Sequence, residues 1–296
     1  MRLLIIGASG FIGRHLFVQA KARGIVSLGT HYRHRQQGLV CFNLLSDSIE
    51  NVVPSLFIDT NDIVYGVICS AVTNIDQCFS ERKTSYKINV ENTIRLIDEF
   101  KRLDIIPVFL SSDYVYDGKV GGYNETIPPC PSTDYGFQKA EIEKYIQSHS
   151  SNGIVLRLSV TIGSDPCELH LLTQWYGWLE QGRPITCIKG QIFSPTYVND
   201  VAYGIITTCE KSMKGLYNVT NPEFFSREKL ARQFINELGV NGEVLTKDSS
   251  EFNFLEDRPM KTYLDSTKFR KFANMQFTSA REVIKIFASR INNKNN

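Results

Sequence analysis

The segment Gly7-Ala8-Ser9-Gly10-Phe11-Ile12-Gly13 constrains this chain more than any other. It follows the apolar run Leu3-Leu4-Ile5-Ile6 directly and opens a helix-periodic stretch, Phe11–Arg23. Gly7 permits a tight turn, Gly10 lets a pyrophosphate approach the backbone, and Gly13 lets the helix lie close to the strand. The helix N-terminus adds free N–H groups and a partial positive charge, which favour phosphate. In strand–turn–helix context the motif predicts a dinucleotide site, with Ser9, Phe11 and Ile12 joining the three glycines as candidate contacts.

Short apolar runs then alternate with amphipathic stretches. Strands are expected at Arg2–Ile6, Ile25–His31, Leu39–Phe42, Ile63–Cys69, Ile106–Ser111 and Ile154–Leu158. Helices are expected at Phe11–Arg23, Ser48–Pro54, Tyr86–Leu103 and Tyr135–His149. This alternation predicts an α/β fold with a doubly wound parallel Rossmann sheet. The nearly continuous apolarity of the strands says that both faces of the sheet are covered.

After Ser159 the rhythm changes. A helical Leu171–Gln181 precedes Gly182-Arg183-Pro184, a strand-like Ile185–Ile188 and an amphipathic Leu230–Leu238. Ser226 is expected to cap that last helix, with Lys229 and Arg232 facing water. The division is a dinucleotide-binding domain over residues 1–158 and a smaller substrate-binding region over 159–296. Segments around 190–218 are expected to return to the sheet, and the tail Asn292–Asn296 reads as frayed.

Composition narrows the function classes. A net charge of +2 over 296 residues offers no reason to expect nucleic acid or an acidic membrane as partner. The seven cysteines are scattered and form no CxxC pair, which argues against a disulfide framework or a structural zinc site. No catalytic metal is expected. The run at Leu3–Ile6 is too short for a signal peptide or a membrane span, so a cytoplasmic location is the default. Charge is uneven, however: no Asp or Glu precedes Asp47, whereas Arg2, Arg14, Lys21, Arg23, Arg33 and Arg35 do.

Two further features carry chemistry. Tyr135 and Lys139 stand at i and i+4 on one helix face, and Ser111-Ser112-Asp113 ends the preceding apolar strand, at the edge where ligands sit in open α/β sheets. Hydride delivery to a carbonyl leaves negative charge on oxygen, so a proton must reach it. Tyr135 would donate that proton, its phenol acidified by the Lys139 ammonium, while Ser112 would hydrogen-bond the carbonyl oxygen. Asn89 could hold a water leading to Lys139, or make an ordinary contact within the helix. Ala71, just beyond the strand Ile63–Cys69, is a further candidate cofactor contact. The second strand ends in Thr30-His31-Tyr32-Arg33-His34-Arg35 without the carboxylate that binds the ribose of NAD. Arg33 and Arg35 would instead pair with a 2′-phosphate, which favours NADP over NAD.

The glycine spacing matches the extended short-chain dehydrogenases. Over nearly its whole length the chain resembles their dTDP-4-dehydrorhamnose reductase family. The resemblance is carried by Gly7–Gly13, the run Ser112-Asp113-Tyr114-Val115-Tyr116-Asp117-Gly118, Glu125, Pro131, Tyr135 to Lys139 and Glu143. It continues through Pro195-Thr196, Gly215-Leu216-Tyr217-Asn218-Val219, Arg258-Pro259, Leu264-Asp265 and Lys268-Phe269. It implies reduction of the C4 keto group of a nucleotide-linked 4-keto-6-deoxy sugar. It supports Ser112, Tyr135 and Lys139 as the triad and places Asp113 and Tyr114 near the sugar, with Thr196 and Arg258 as further substrate contacts. Arg258 and Lys261 are candidates for the substrate diphosphate. The chain departs from the family after Arg157: Leu158–Gly163 lacks the usual aromatic, and Asp165–Leu172 lacks the usual Asn-Phe. A 4,6-dehydratase would need an acidic residue where Tyr114 stands, and an epimerase–reductase a Cys/His pair; neither is evident. A simple 4-epimerase, or a nicotinamide-binding regulatory subunit resembling that of methionine adenosyltransferase, are the alternatives. A homodimer is the assembly considered.

Overall fold

A computed structural model describes residues 1–295. Seven parallel strands form the central sheet, in the spatial order Val40–Cys41, Val26–His31, Arg2–Ile6, Val64–Ile68, Ile106–Ser112, Ile154–Leu158 and Gly215–Asn218. The Rossmann expectation holds. Chain direction across the sheet reverses between Arg2–Ile6 and Val64–Ile68, and such a switch point opens a crevice beyond the carboxyl ends of the strands. The strands Val64–Ile68 and Ile154–Leu158 are buried at every residue, because helices cover both faces. One face takes Leu16, Phe17 and Ala20 of the helix Phe11–Ala22, with Val201, Ile205 and Ile206 of the helix Val198–Glu210. The other takes Leu96, Ile97 and Phe100 of the helix Asn92–Arg102, with Ile142 and Ile146 of the helix Asp134–His149.

A third hydrophobic cluster builds the smaller lobe. Trp175, Phe234 and Phe287 meet there from the helices Leu171–Glu180, Arg227–Leu238 and Ala280–Asn295. A parallel pair, Ile185–Ile188 with Val244–Lys247, backs them. The chain returns to the first lobe twice. Val201 to Val219 joins the sheet's core, as does Phe269 to Met275, the second a return that the sequence did not signal.

Four expectations need correction. The stretch Ser48–Pro54 forms a single turn, Ile49–Val52, followed by another at Ser55–Ile58, because Pro54 interrupts the backbone bonding. The helix expected over Tyr86–Leu103 is broken by a π-helical segment, Lys87–Glu91. There the side chains of Asn92 and Thr93 donate to the carbonyls of Lys87 and Ile88 at 2.7 and 3.1 Å. The cap at Ser226 is present, its hydroxyl accepting from the Lys229 N–H at 3.1 Å, so the helix starts at Arg227. The tail is helical to Asn295, because Val283, Ile284 and Phe287 recur on one buried face; Asn296 lies outside the described residues.

A buried ion pair ties the sheet to the helix Asp134–His149. Arg157 donates to Glu143 through Nε at 2.9 Å and Nη2 at 2.6 Å, and the two side chains are 1% and 2% exposed. Ser111 also donates to this carboxylate, and Arg157 Nη1 reaches the Tyr116 hydroxyl at 2.6 Å. Removing one partner strands the other as an uncompensated buried charge. Arg157→Met or Glu143→Met alone should therefore lower the unfolding free energy by about 3–5 kcal/mol. The double substitution should recover most of that loss in urea titrations; purely additive losses would refute the account.

Candidate active site

The glycine turn is packed as a cradle. Gly7 adopts φ +86°, and its N–H donates to Thr30 Oγ1 at 3.0 Å, which pins the turn to the second strand. A Cβ on Gly13 would lie 2.3 Å from the Gly7 carbonyl oxygen, so only glycine lets the helix come this close. Gly10 is different. It is exposed, and a Cβ there would meet only the Gly7 oxygen, at 3.3 Å. Inside the protein nothing else requires a glycine at that position; a phosphate laid against the backbone would. The helix that follows has no side-chain cap and no acidic residue in its first turn, leaving its N–H groups to an anion.

The side chains of Phe11 and Ile12 serve another end. Both pack against the smaller lobe, and Phe11 stacks on His170 with ring centroids 5.5 Å apart. His170 is spent as the cap of the helix Leu171–Glu180. Ser9 and Ala71 are half-buried at the crevice, whereas Arg33 and Arg35 are exposed on the loop beyond the second strand.

The residues expected to handle a proton assemble at the carboxyl end of the strand Ile106–Ser112. Thr133 caps the helix Asp134–His149 by accepting from the Gly136 N–H at 3.1 Å, and Glu256 accepts from the Asp134 N–H at 2.9 Å. A Cβ on Gly136 would strike the Tyr114 carbonyl oxygen at 2.1 Å, so the helix start sits directly on the turn after Ser112. Tyr135, in the first turn, faces the Ser112 hydroxyl, which favours the charged form of the phenol. One turn on, Lys139 Nζ donates to the Leu110 carbonyl at 2.8 Å and lies 5.7 Å from the centre of the Tyr135 ring. The structure thus gathers Ser112, Asp113, Tyr114, Tyr135 and Lys139 in one place.

Electrostatics corrects the expected role of the lysine. Burial pushes the Tyr135 phenol above its ordinary value, opposed by the Ser112 hydroxyl. Desolvation is the largest influence on this phenol, so burial and not the Lys139 ammonium sets the direction of its shift. Lys139 itself is lowered to about 8 by burial, against the pull of Cys78, Cys69 and Glu143. Burial raises Asp113 to about 6, although Ser112 and Ser159 donate to its carboxylate and Thr262 also favours the charged form.

Two further expectations change. The Asn89 amide donates to the Val72 carbonyl and to Gln138 Oε1, while its oxygen accepts from the Val72 N–H at 2.8 Å. It holds the turn beside Ala71 in place of a water. Thr196 is fully buried, donating to the Ser194 carbonyl and accepting from the Asn221 N–H, so its hydroxyl does not face a ligand.

Beside Tyr114 lies a cavity of about 470 Å³. Arg183, Arg227 and Arg258 line it, together with Gln174, Gln191 and Trp178, and no carboxylate is among its lining residues. Arg258 is there as expected, anchored to Asp76 at 2.7 Å and stacked 4.4 Å from the centre of Phe254. Lys261 is exposed and does not line the cavity. Arg227, held by Gln191 at 2.8 Å, and Arg183 went unrecognised; each stands beside a signal that was read, the Ser226 cap and the Gly182–Pro184 break.

Lys139 makes a titration prediction. Its folded-state value lies below the unfolded one, so the protein gains stability from this residue as pH rises from below about 8 to above the unfolded value. Between pH 7 and pH 10 the wild type should gain about 2–3 kcal/mol relative to Lys139→Met in urea unfolding. A pH-independent difference would contradict the burial assignment.

Residues 1–293 match the family model described as the RmlD substrate binding domain. The chain is 28% identical over 292 residues to the dTDP-4-dehydrorhamnose reductase of Aggregatibacter actinomycetemcomitans, covering 93% of this chain and 94% of that one. It is 25% identical over 287 residues to methionine adenosyltransferase 2 subunit beta of Xenopus laevis, covering 95% and 85%. Among solved structures, a dTDP-4-dehydrorhamnose reductase of Bacillus anthracis in complex with NADP shares the fold at a TM-score of 0.84 and 23% identity, covering 97% and 98%. Matched over residues 1–293, this chain belongs to the RmlD substrate-binding-domain family of extended short-chain dehydrogenase-like proteins.

Proposed function

We propose that the protein is an NADPH-dependent reductase of a nucleotide-linked 4-keto-6-deoxy sugar. The observation that carries this reading is the gathering of Ser112, Tyr135 and Lys139 at the end of the serine strand, where Tyr114 joins the helix start to an arginine-lined cavity. The names of the reductase relative and of the NADP-bound fold neighbour support it. The backbone of Gly7 to Gly13 would hold the pyrophosphate, and Arg33 and Arg35 the 2′-phosphate. Bound there, the dinucleotide supplies the hydride.

Everything else falls to the chain's own side chains. Ser112 orients the carbonyl oxygen and stabilises charge developing on it. A phenol held above its ordinary value stays protonated, and an alkoxide is a far stronger base than a phenolate, so Tyr135 delivers its proton downhill. The Lys139 ammonium, buried one turn away, favours the negative charge left on that side of the cleft. Arg183, Arg227 and Arg258 suit a diphosphate, whose two charges no carboxylate of the lining opposes.

Tyr135→Phe should lose about 10²–10⁴-fold in kcat while binding NADPH within a few-fold of wild type. Near-normal turnover would eliminate this mechanism. NADPH should also support faster turnover than NADH, and replacing Arg33 and Arg35 by alanine should erode that preference about tenfold, equivalent to about 1.4 kcal/mol. A wild-type preference for NADH would refute the role of the arginines.

The likeness to methionine adenosyltransferase 2 subunit beta, at nearly full length, favours a second reading as a nicotinamide-binding regulatory subunit. NADPH binding without consumption across a panel of 4-keto-6-deoxy nucleotide sugars would establish that reading over the first.

A further inference from the structure

Resting on the reductase reading, one group near the cleft has no task in the chemistry so far. Asp113 is 2% exposed, and an idle carboxyl at this depth costs stability. Its Oδ1 accepts from the Ser112 hydroxyl at 3.0 Å and its Oδ2 from the Ser159 hydroxyl at 2.9 Å. Ser112 in turn faces the Tyr135 phenol and favours its charged form, so carboxyl, hydroxyl and phenol stand in sequence. Ser159 stands where the chain departs from its family after Arg157.

The phenol must regain its proton before each new turnover. A path by way of Asn89 is closed, because its amide is committed to Val72 and Gln138. The Lys139 ammonium is bonded to the Leu110 carbonyl. Other groups facing Asp113 are the Thr262 hydroxyl, the Tyr114 phenol and the Arg227 guanidinium, none of which donates readily at neutral pH.

We propose that Asp113 is the proton reservoir of the site and restores the Tyr135 proton through the Ser112 hydroxyl. As the Asp113 O–H bond breaks, its proton passes to the Ser112 oxygen. The former Ser112 proton forms the new O–H bond of Tyr135. Ser112 ends with one proton, as it began, and the charge moves from phenolate to carboxylate. Ser159 and Thr262 stabilise that carboxylate until it is reprotonated through the cleft after product leaves. The transfer runs downhill, since burial holds Asp113 near 6 and the phenol above its ordinary value.

Infrared titration of the protein without ligands tests the reservoir apart from turnover. A protonated-carboxyl band should fade as pH rises through about 6 and be missing in Asp113→Asn. In steady state with NADPH and a dTDP-linked 4-keto-6-deoxy sugar, wild-type kcat should fall through the same pH to a lower plateau. Asp113→Asn should sit on that plateau throughout. Ser159→Ala keeps the carboxyl but removes a hydrogen bond to its charged form, so band and kcat limb should move together to higher pH. An absent band in wild type, a kcat limb that survives Asp113→Asn, or a Ser159→Ala variant with both midpoints unmoved overturns the proposal. A band present in a wild type without turnover on any such sugar defeats the reductase reading, and the restoring role with it.

Discussion

The bidentate contact between Arg157 and Glu143 is the constraint on which the site's geometry depends. Arg157 belongs to the strand Ile154–Leu158 and Glu143 to the helix that carries Tyr135 and Lys139. Ser111, one residue before Ser112, donates to the same carboxylate. One buried ion pair therefore sets the height of the helix over the sheet and the position of the serine strand together. Its interaction is strong because water is excluded, and that exclusion makes it costly to break.

The same dryness organises the cleft. Tyr135, Asp113 and Lys139 are all pushed by burial towards their uncharged forms. A protonated phenol and a carboxyl that still holds a proton in mild acid are useful only where water does not level them. The neighbouring cavity works in the opposite sense. Its guanidinium groups keep their charge, because arginine does not lose its proton in proteins. A neutral proton-handling chain beside a cationic wall suits a polar reacting end attached to an anionic tail.

Much of this was legible in the residues. The glycine turn, the order of the central strands' runs, and Ser112 with Tyr135 and Lys139 all depend on short-range spacing, which chemistry reads directly. The partners of Asn89 were not legible: the residue lies in a π-helical segment, and its amide ends on Val72 and Gln138. Thr196 likewise lies in a matched motif, yet its hydroxyl closes a bond to Asn221, a residue 25 positions away. The helix Ala280–Asn295 had an apolar face that could have been read from spacing alone.

Local pattern determined what the elements are: where strands alternate with helices, where phosphate meets backbone, and which side chains handle a proton. Those properties follow from neighbours within a few residues along the chain. Tertiary structure decided which distant groups meet. It brought Ser159 and Thr262 onto Asp113, and Arg183, Arg227 and Arg258 around one cavity. It also set the acidity of the buried groups, since desolvation depends on everything packed around an atom and on no stretch of sequence by itself.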